Sequence, residues 1–126
     1  MQLVYYPSPI LFEQCQPVPN SGKGQRRKDR LALANMMWDV MEKNRGVGLA
    51  APQVGLNIRM FVWKQYRTNF VIWNPIVCSV SGISQSTEGC LSLPGIAVTK
   101  ERSIISQIFG TGINGKPCNY NGLEFQ

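Results

Sequence analysis

The sequence predicts an α+β domain: one N-terminal helix followed by mainly antiparallel strands. Three observations carry that expectation. Between about Lys28 and Asn44 the apolar residues Leu33, Met36, Met37, Val40 and Met41 recur at spacings of three and four, with Ala34 and Trp38 widening the stripe, as one amphipathic helix requires. Downstream, β-branched and aromatic runs are separated by polar turns, which is the signature of strands. Helical and strand signals are also segregated along the chain rather than alternating, which favours α+β over a parallel α/β sheet.

Length and charge set outer bounds. With 126 residues, 44% of them hydrophobic and 16% charged, the chain fits one soluble globular domain. No run approaches the roughly 18 apolar residues that cross a bilayer. The start, Met1-Gln2-Leu3-Val4-Tyr5-Tyr6-Pro7, has neither a basic leader nor an apolar core, which argues against secretion. The net charge of +6 is concentrated in Lys23, Arg26, Arg27, Lys28 and Arg30. That segment carries no aromatic residue to stack on bases, so it reads as a solvated loop running into the helix rather than an RNA-binding patch.

Each element follows from local chemistry. Pro7, Pro9, Pro17 and Pro19 remove backbone donors and disfavour helix, leaving an extended arm with short turns over residues 1–20. Residues 20–28 form a glycine-rich basic loop. The helix stops at Lys43-Asn44-Arg45-Gly46, where cations complement the helix dipole and Gly46 is expected to take the left-handed cap. Met36 and Met37 are expected in the core.

Strands are expected over Ile58–Trp63 and Asn69–Val77, joined by a turn from Lys64 to Thr68. Asn74-Pro75 should break the second or place it at an edge. Ser79–Thr87 reads as a loop or irregular edge. Ile96–Thr99 and Ser103–Phe109 read as further strands, and Asn114-Gly115 as a turn into a last strand over Lys116–Asn121.

Four cysteines, at positions 15, 78, 90 and 118, show no Cys-x-x-Cys pair, which argues against both a disulfide framework and a closed zinc site. Cys15, Cys78 and Cys118 read as small apolar residues. Cys90 differs in setting, within Glu88-Gly89-Cys90-Leu91-Ser92-Leu93-Pro94-Gly95. A second stretch about forty residues upstream, Gly46-Val47-Gly48-Leu49-Ala50-Ala51-Pro52-Gln53-Val54-Gly55, is too rich in small residues to be an ordinary strand or helix.

Together the two stretches resemble the first two signature motifs of the peptide deformylases, metal hydrolases that remove the formyl group from the formyl-methionine of new polypeptides. Weaker similarity runs from Tyr6-Pro7-Ser8-Pro9-Ile10-Leu11 to Trp73-Asn74-Pro75, so the resemblance covers the whole chain. The family's third motif, a helical His-Glu-x-x-His, is absent, and the sequence contains no histidine.

The resemblance implies a role for each matching residue. Cys90 would be a thiolate ligand of a divalent metal, Fe2+ natively with Zn2+ or Ni2+ as alternatives. The side-chain amide of Gln53 and the backbone N–H of Leu91 would stabilise the oxyanion. Val47 and Gly48 would bind the peptide as an added strand, and Leu91 would also wall the methionine pocket. Glu88 would be a structural anion paired with Lys100 or Arg102. The expected partners are N-formyl-methionyl nascent peptides, with transient ribosome contact, no DNA and no membrane, in the cytoplasm.

The same comparison implies a single deformylase-like domain over 1–126 that is C-terminally incomplete, with the central metal-binding helix missing. Such a chain would hold its metal poorly and be catalytically inactive. Two further readings stand beside this one. A non-catalytic family member would be retained to bind formyl-methionyl peptide or the ribosome, and a small thiol-dependent protein would use a redox-active Cys90.

Overall fold

A computed structural model of the chain describes residues 1–19, 25–90 and 92–123; over 25–26, 78–90, 93–106 and 121–123 the description is of the backbone alone. The helix, α1, spans Gln25–Lys43. It starts three residues earlier than expected, because Gln25, Arg26 and Arg27 are good helix formers that extend it into the supposed loop.

The end of α1 has the expected geometry with one correction. Gly46 N–H bonds Met41 O at 2.9 Å and Arg45 N–H bonds Glu42 O at 3.1 Å, the paired closure of a Schellman cap. The left-handed residue is Arg45, at φ 56°, one position before the glycine.

Burial along α1 follows the helical period regardless of residue type. Arg30, Ala34, Met37 and Met41 form one buried stripe, and Val40 joins it. Two expectations fail here. Met36 is 48% exposed, since it falls beside the stripe rather than on it. Arg30 is only 6% exposed, although its neighbours Arg27 and Lys28 face solvent. Its guanidinium lies over the Trp73 ring at 5.7 Å and donates to Pro19 O, so among the described residues of the basic segment Arg30 folds inward.

Five strands among the described residues form one antiparallel sheet in chain order: β1 Gly48–Ala50, β2 Met60–Gln65, β3 Thr68–Cys90, β4 Leu93–Thr111 and β5 Pro117–Leu123. Ser79–Thr87 is therefore strand, not loop. Its backbone pairs through Ser79↔Gln107 to Thr87↔Thr99, the ladder overriding a composition of small polar residues. For the same reason Ile96–Thr99 and Ser103–Phe109 are parts of one strand. Asn74-Pro75 neither ends β3 nor places it at an edge: it is a bulge between Trp73 and Ile76, with Asn74 at φ 51°.

Side-chain alternation in β2 and β3 divides the apolar residues between two faces. Met60, Val62, Val71 and Trp73 pack with Leu49, Ala51 and the α1 stripe. Phe61, Trp63, Phe70 and Ile72 turn to the opposite face and meet Ile108, Cys118 and Tyr120. Trp63 stacks on Phe70 at 5.2 Å between centroids and meets Tyr120 edge-on at 5.1 Å. Helix and sheet are tied by Trp38 Nε1–H donating to Phe70 O at 2.9 Å and by the Lys64–Glu42 ion pair at 2.7 Å.

The N-terminal arm is extended apart from a turn at Tyr6-Pro7, closed by Ser8 N–H to Tyr5 O at 3.0 Å, and a 3-10 turn at Pro9–Phe12. It is held at intervals by backbone contacts. The Asn74 side chain both accepts from Val18 N–H and donates to Val18 O, each at 2.7 Å, so it acts as a strand peptide would.

Candidate functional site

The first motif folds as β1 followed by a 3-10 turn at Ala51–Val54, closed by Gly55 at φ 85°, a backbone conformation that suits glycine. Pro52 supplies a preset φ near the start of that turn. The turn swings Gln53 back over β1, where its Oε1 accepts from Ala50 N–H at 3.0 Å.

That contact fixes the amide's orientation, because turning it over would set Nε2 against another donor. Nε2 then donates to Ser92 Oγ at 3.2 Å. Ser92 sits in the two-residue connection between β3 and β4, just past Cys90, the last residue of β3, which pairs with Leu93. The two motifs, 39 positions apart between these residues, thus meet through this side-chain hydrogen bond.

The arm braces the same junction. Val4 N–H bonds Gln53 O at 2.7 Å and Tyr6 N–H bonds Ser92 O at 3.0 Å. Ser92 is 4% exposed, so these polar groups lie in a largely enclosed setting. Sequence reasoning gave Ser92 no role; its place in the Glu-Gly-Cys-Leu-Ser stretch was the one signal for it.

β1 is the terminal strand of the sheet. Val47 O accepts from Lys64 N–H at 3.0 Å, so Val47 faces its main chain toward β2. By strand alternation the N–H and C=O of Gly48 then point to the side away from β2. Gly48 also has a packing reason to lack a side chain, since a Cβ there would meet Phe61 Cζ at 3.0 Å. The Val47 side chain is exposed.

Leu91 and the Cys90 thiol lie outside the described residues, as do the side chains of Glu88, Lys100 and Arg102. In backbone register Glu88 stands opposite Val98, with Lys100 opposite Ser86 and Arg102 opposite Ser84. The described residues hold no group of three or more His, Cys, Asp or Glu able to bind a metal ion. With no histidine anywhere in the sequence, the donors of this chain do not fit a metal centre that joins the Cys90 thiolate to the histidines of a His-Glu-x-x-His motif. Among the described residues no helix is long and apolar enough to cross a membrane.

The fold and junction define an α+β domain in which an edge strand and a fixed carboxamide adjoin a cysteine-bearing strand end. The chain belongs to the polypeptide deformylase family, whose model matches residues 1–126. It is 37% identical over 121 residues to a peptide deformylase of Desulforudis audaxviator, covering 94% of this chain and 75% of that protein. It is 36% identical over 107 residues to one from Thermus thermophilus, covering 72% and 53%.

Among solved structures, a peptide deformylase from Legionella pneumophila superposes with a TM-score of 0.85 at 33% identity, over 96% of this chain and 70% of that one. The deformylase of the Vibrio parahaemolyticus bacteriophage VP16T, in complex with actinonin, gives 0.84 at 30% identity, over 96% and 85%. The chain thus spans about half to six-sevenths of the length of these relatives.

Proposed function

We propose that residues 1–126 are a single deformylase-like domain that binds the formyl-methionine end of nascent polypeptides in the cytoplasm and orients its formamide for hydrolysis to formate. The observation that carries this reading is the Gln53–Ser92 hydrogen bond, which brings a titration-free donor beside the cysteine motif. The peptide lies along Val47 and Gly48 as an added strand, using the outward main chain of Gly48. Were water to add to the formyl carbon, negative charge would grow on the former carbonyl oxygen. Gln53 Nε2–H and Leu91 N–H would donate to it, each such donor worth ~2.7–4 kcal/mol of barrier height. Leu91 also walls the methionine pocket, and Glu88 supports the strand end that carries Cys90.

Cys90 is the thiolate that this chain offers to a divalent metal. One thiolate without imidazole partners holds such an ion weakly, and no glutamate between histidines is present to move the proton to the leaving amine. The 126-residue chain is accordingly proposed to bind and orient substrate without turnover.

Calorimetric titration with a formyl-Met tripeptide and its unformylated twin tests the binding half, and a formate assay with added Fe2+, Zn2+ or Ni2+ tests the rest. The expected result is preference for the formylated peptide without formate release. Equal or absent binding would sink the deformylase reading, whereas metal-dependent formate would sink the claim that the chain binds without turnover.

A further inference from the structure

We propose that Ser92 is a positioning residue for the Gln53 carboxamide, itself held in place by the N-terminal arm. The inference rests on reading Gln53 as a donor to the formyl oxygen, and it concerns what makes that donor directional. A glutamine side chain has three rotatable bonds and an amide that can turn over, so a fixed donor needs two anchors. Ala50 N–H supplies one by taking Oε1 at 3.0 Å. The hydroxyl of Ser92 supplies the other by accepting from Nε2 at 3.2 Å.

Ser92 would be a poor anchor if its connection could drift. It is held at the backbone by Tyr6 N–H at 3.0 Å, while Val4 N–H holds the backbone of Gln53 at 2.7 Å. Val4 and Tyr6, two positions apart in the arm, therefore fix the spacing between the two motif residues. The arm is thus part of the site's geometry through its main chain.

The test uses the 15N-labelled 126-residue chain, with the Gln53 side-chain amide assigned by its loss in Gln53→Glu. In Ser92→Ala the Gln53 Nε2 resonances are expected to shift and their solvent exchange to quicken about fivefold, as loss of one hydrogen bond implies. The Trp38 indole N–H, bonded to Phe70 O at 2.9 Å, should keep its position and report an intact fold.

Unchanged Gln53 signals in Ser92→Ala would overturn the proposal. Where that variant does not fold, exchange is read in the unsubstituted chain. Slowed exchange of a Gln53 side-chain N–H supports the anchor, and exchange at the rate of free glutamine overturns it. The deformylase reading fails separately, through absence of any preference for formylated peptide, and leaves this result standing.

Discussion

The side-chain nitrogen of Gln53 and the hydroxyl of Ser92 lie 3.2 Å apart, joining the turn after β1 to the connection after β3. Because Oε1 of the same amide is held by Ala50 N–H, Gln53 is a structural crosslink as well as a candidate donor. Gln53→Ala should therefore cost about 1–3 kcal/mol of stability, the range for leaving a partly buried polar group unpartnered. It should also abolish the preference for formylated peptide. Urea denaturation reads the first effect and calorimetric titration the second.

Met36 and Met37 are adjacent in sequence and opposite in environment. Met37→Ala should destabilise the domain by about 2–5 kcal/mol, as expected for emptying a packed core position. Met36→Ala should stay within about 0.5 kcal/mol, typical of an exposed site. Comparing denaturant midpoints at constant m-value checks both.

Asn74 combines a left-handed backbone with a two-way hydrogen bond to Val18. Asn74→Gly keeps the backbone conformation and deletes the bond, so the arm should loosen while the sheet persists. Faster hydrogen exchange at Val18 N–H, with unchanged exchange along β2, is the expected result. Equal protection in both chains would show that the side chain does not hold the arm.

The hairpin between β2 and β3 turns on Tyr66 and Arg67 at φ 51° and 65°, with Tyr66 90% exposed. Both residues occupy a backbone region that asparagine and glycine accept more readily. Replacing the pair by Asn-Gly should raise stability by about 1 kcal/mol or more, since each ordinary residue there costs roughly 1–2 kcal/mol. A higher midpoint in urea checks it.

Burial pushes the Cys118 thiol above its ordinary pKa, and burial followed by the nearby Cys118 charge pushes Tyr120 up as well. Both groups are neutral when protonated, so the folded state holds its protons more tightly than the unfolded chain. Their stabilising effect is complete below the ordinary thiol value of about 8.5. It is lost as pH rises through the folded-state values. Stability should therefore fall on the alkaline side, and Cys118→Ala should flatten that fall; an unchanged alkaline profile would refute the assignment.

How much was legible in the sequence depended on whether local chemistry or the ladder decided the outcome. The helix was readable from Leu33, Met37, Val40 and Met41 because spacing alone sets its buried face. Arg30 escaped because its charge suggested solvent while its period placed it over Trp73. Ser79–Thr87 escaped because small polar residues carry no strand signal, and only pairing with Thr99 to Gln107 makes them one.

Asn74-Pro75 was legible as an interruption but not as a bulge that continues the strand. At the site, Gln53 was visible as an odd polar residue in a small-residue run. Ser92 was not, since its part depends on a turn and a strand end converging from distant positions. The pairing of Glu88 with Lys100 or Arg102 lies outside the described residues.

The sheet follows the chain like a folded ribbon, each strand lying against the one made just before it. Such a pattern closes only short loops and can zip up early. The arm is different: Val4 and Tyr6 must find partners roughly 50 and 86 positions away. The junction at Gln53 and Ser92 is therefore expected to be the last part of the domain to assemble and the first to come apart, so that substrate affinity would fade on warming before the strands themselves unravel.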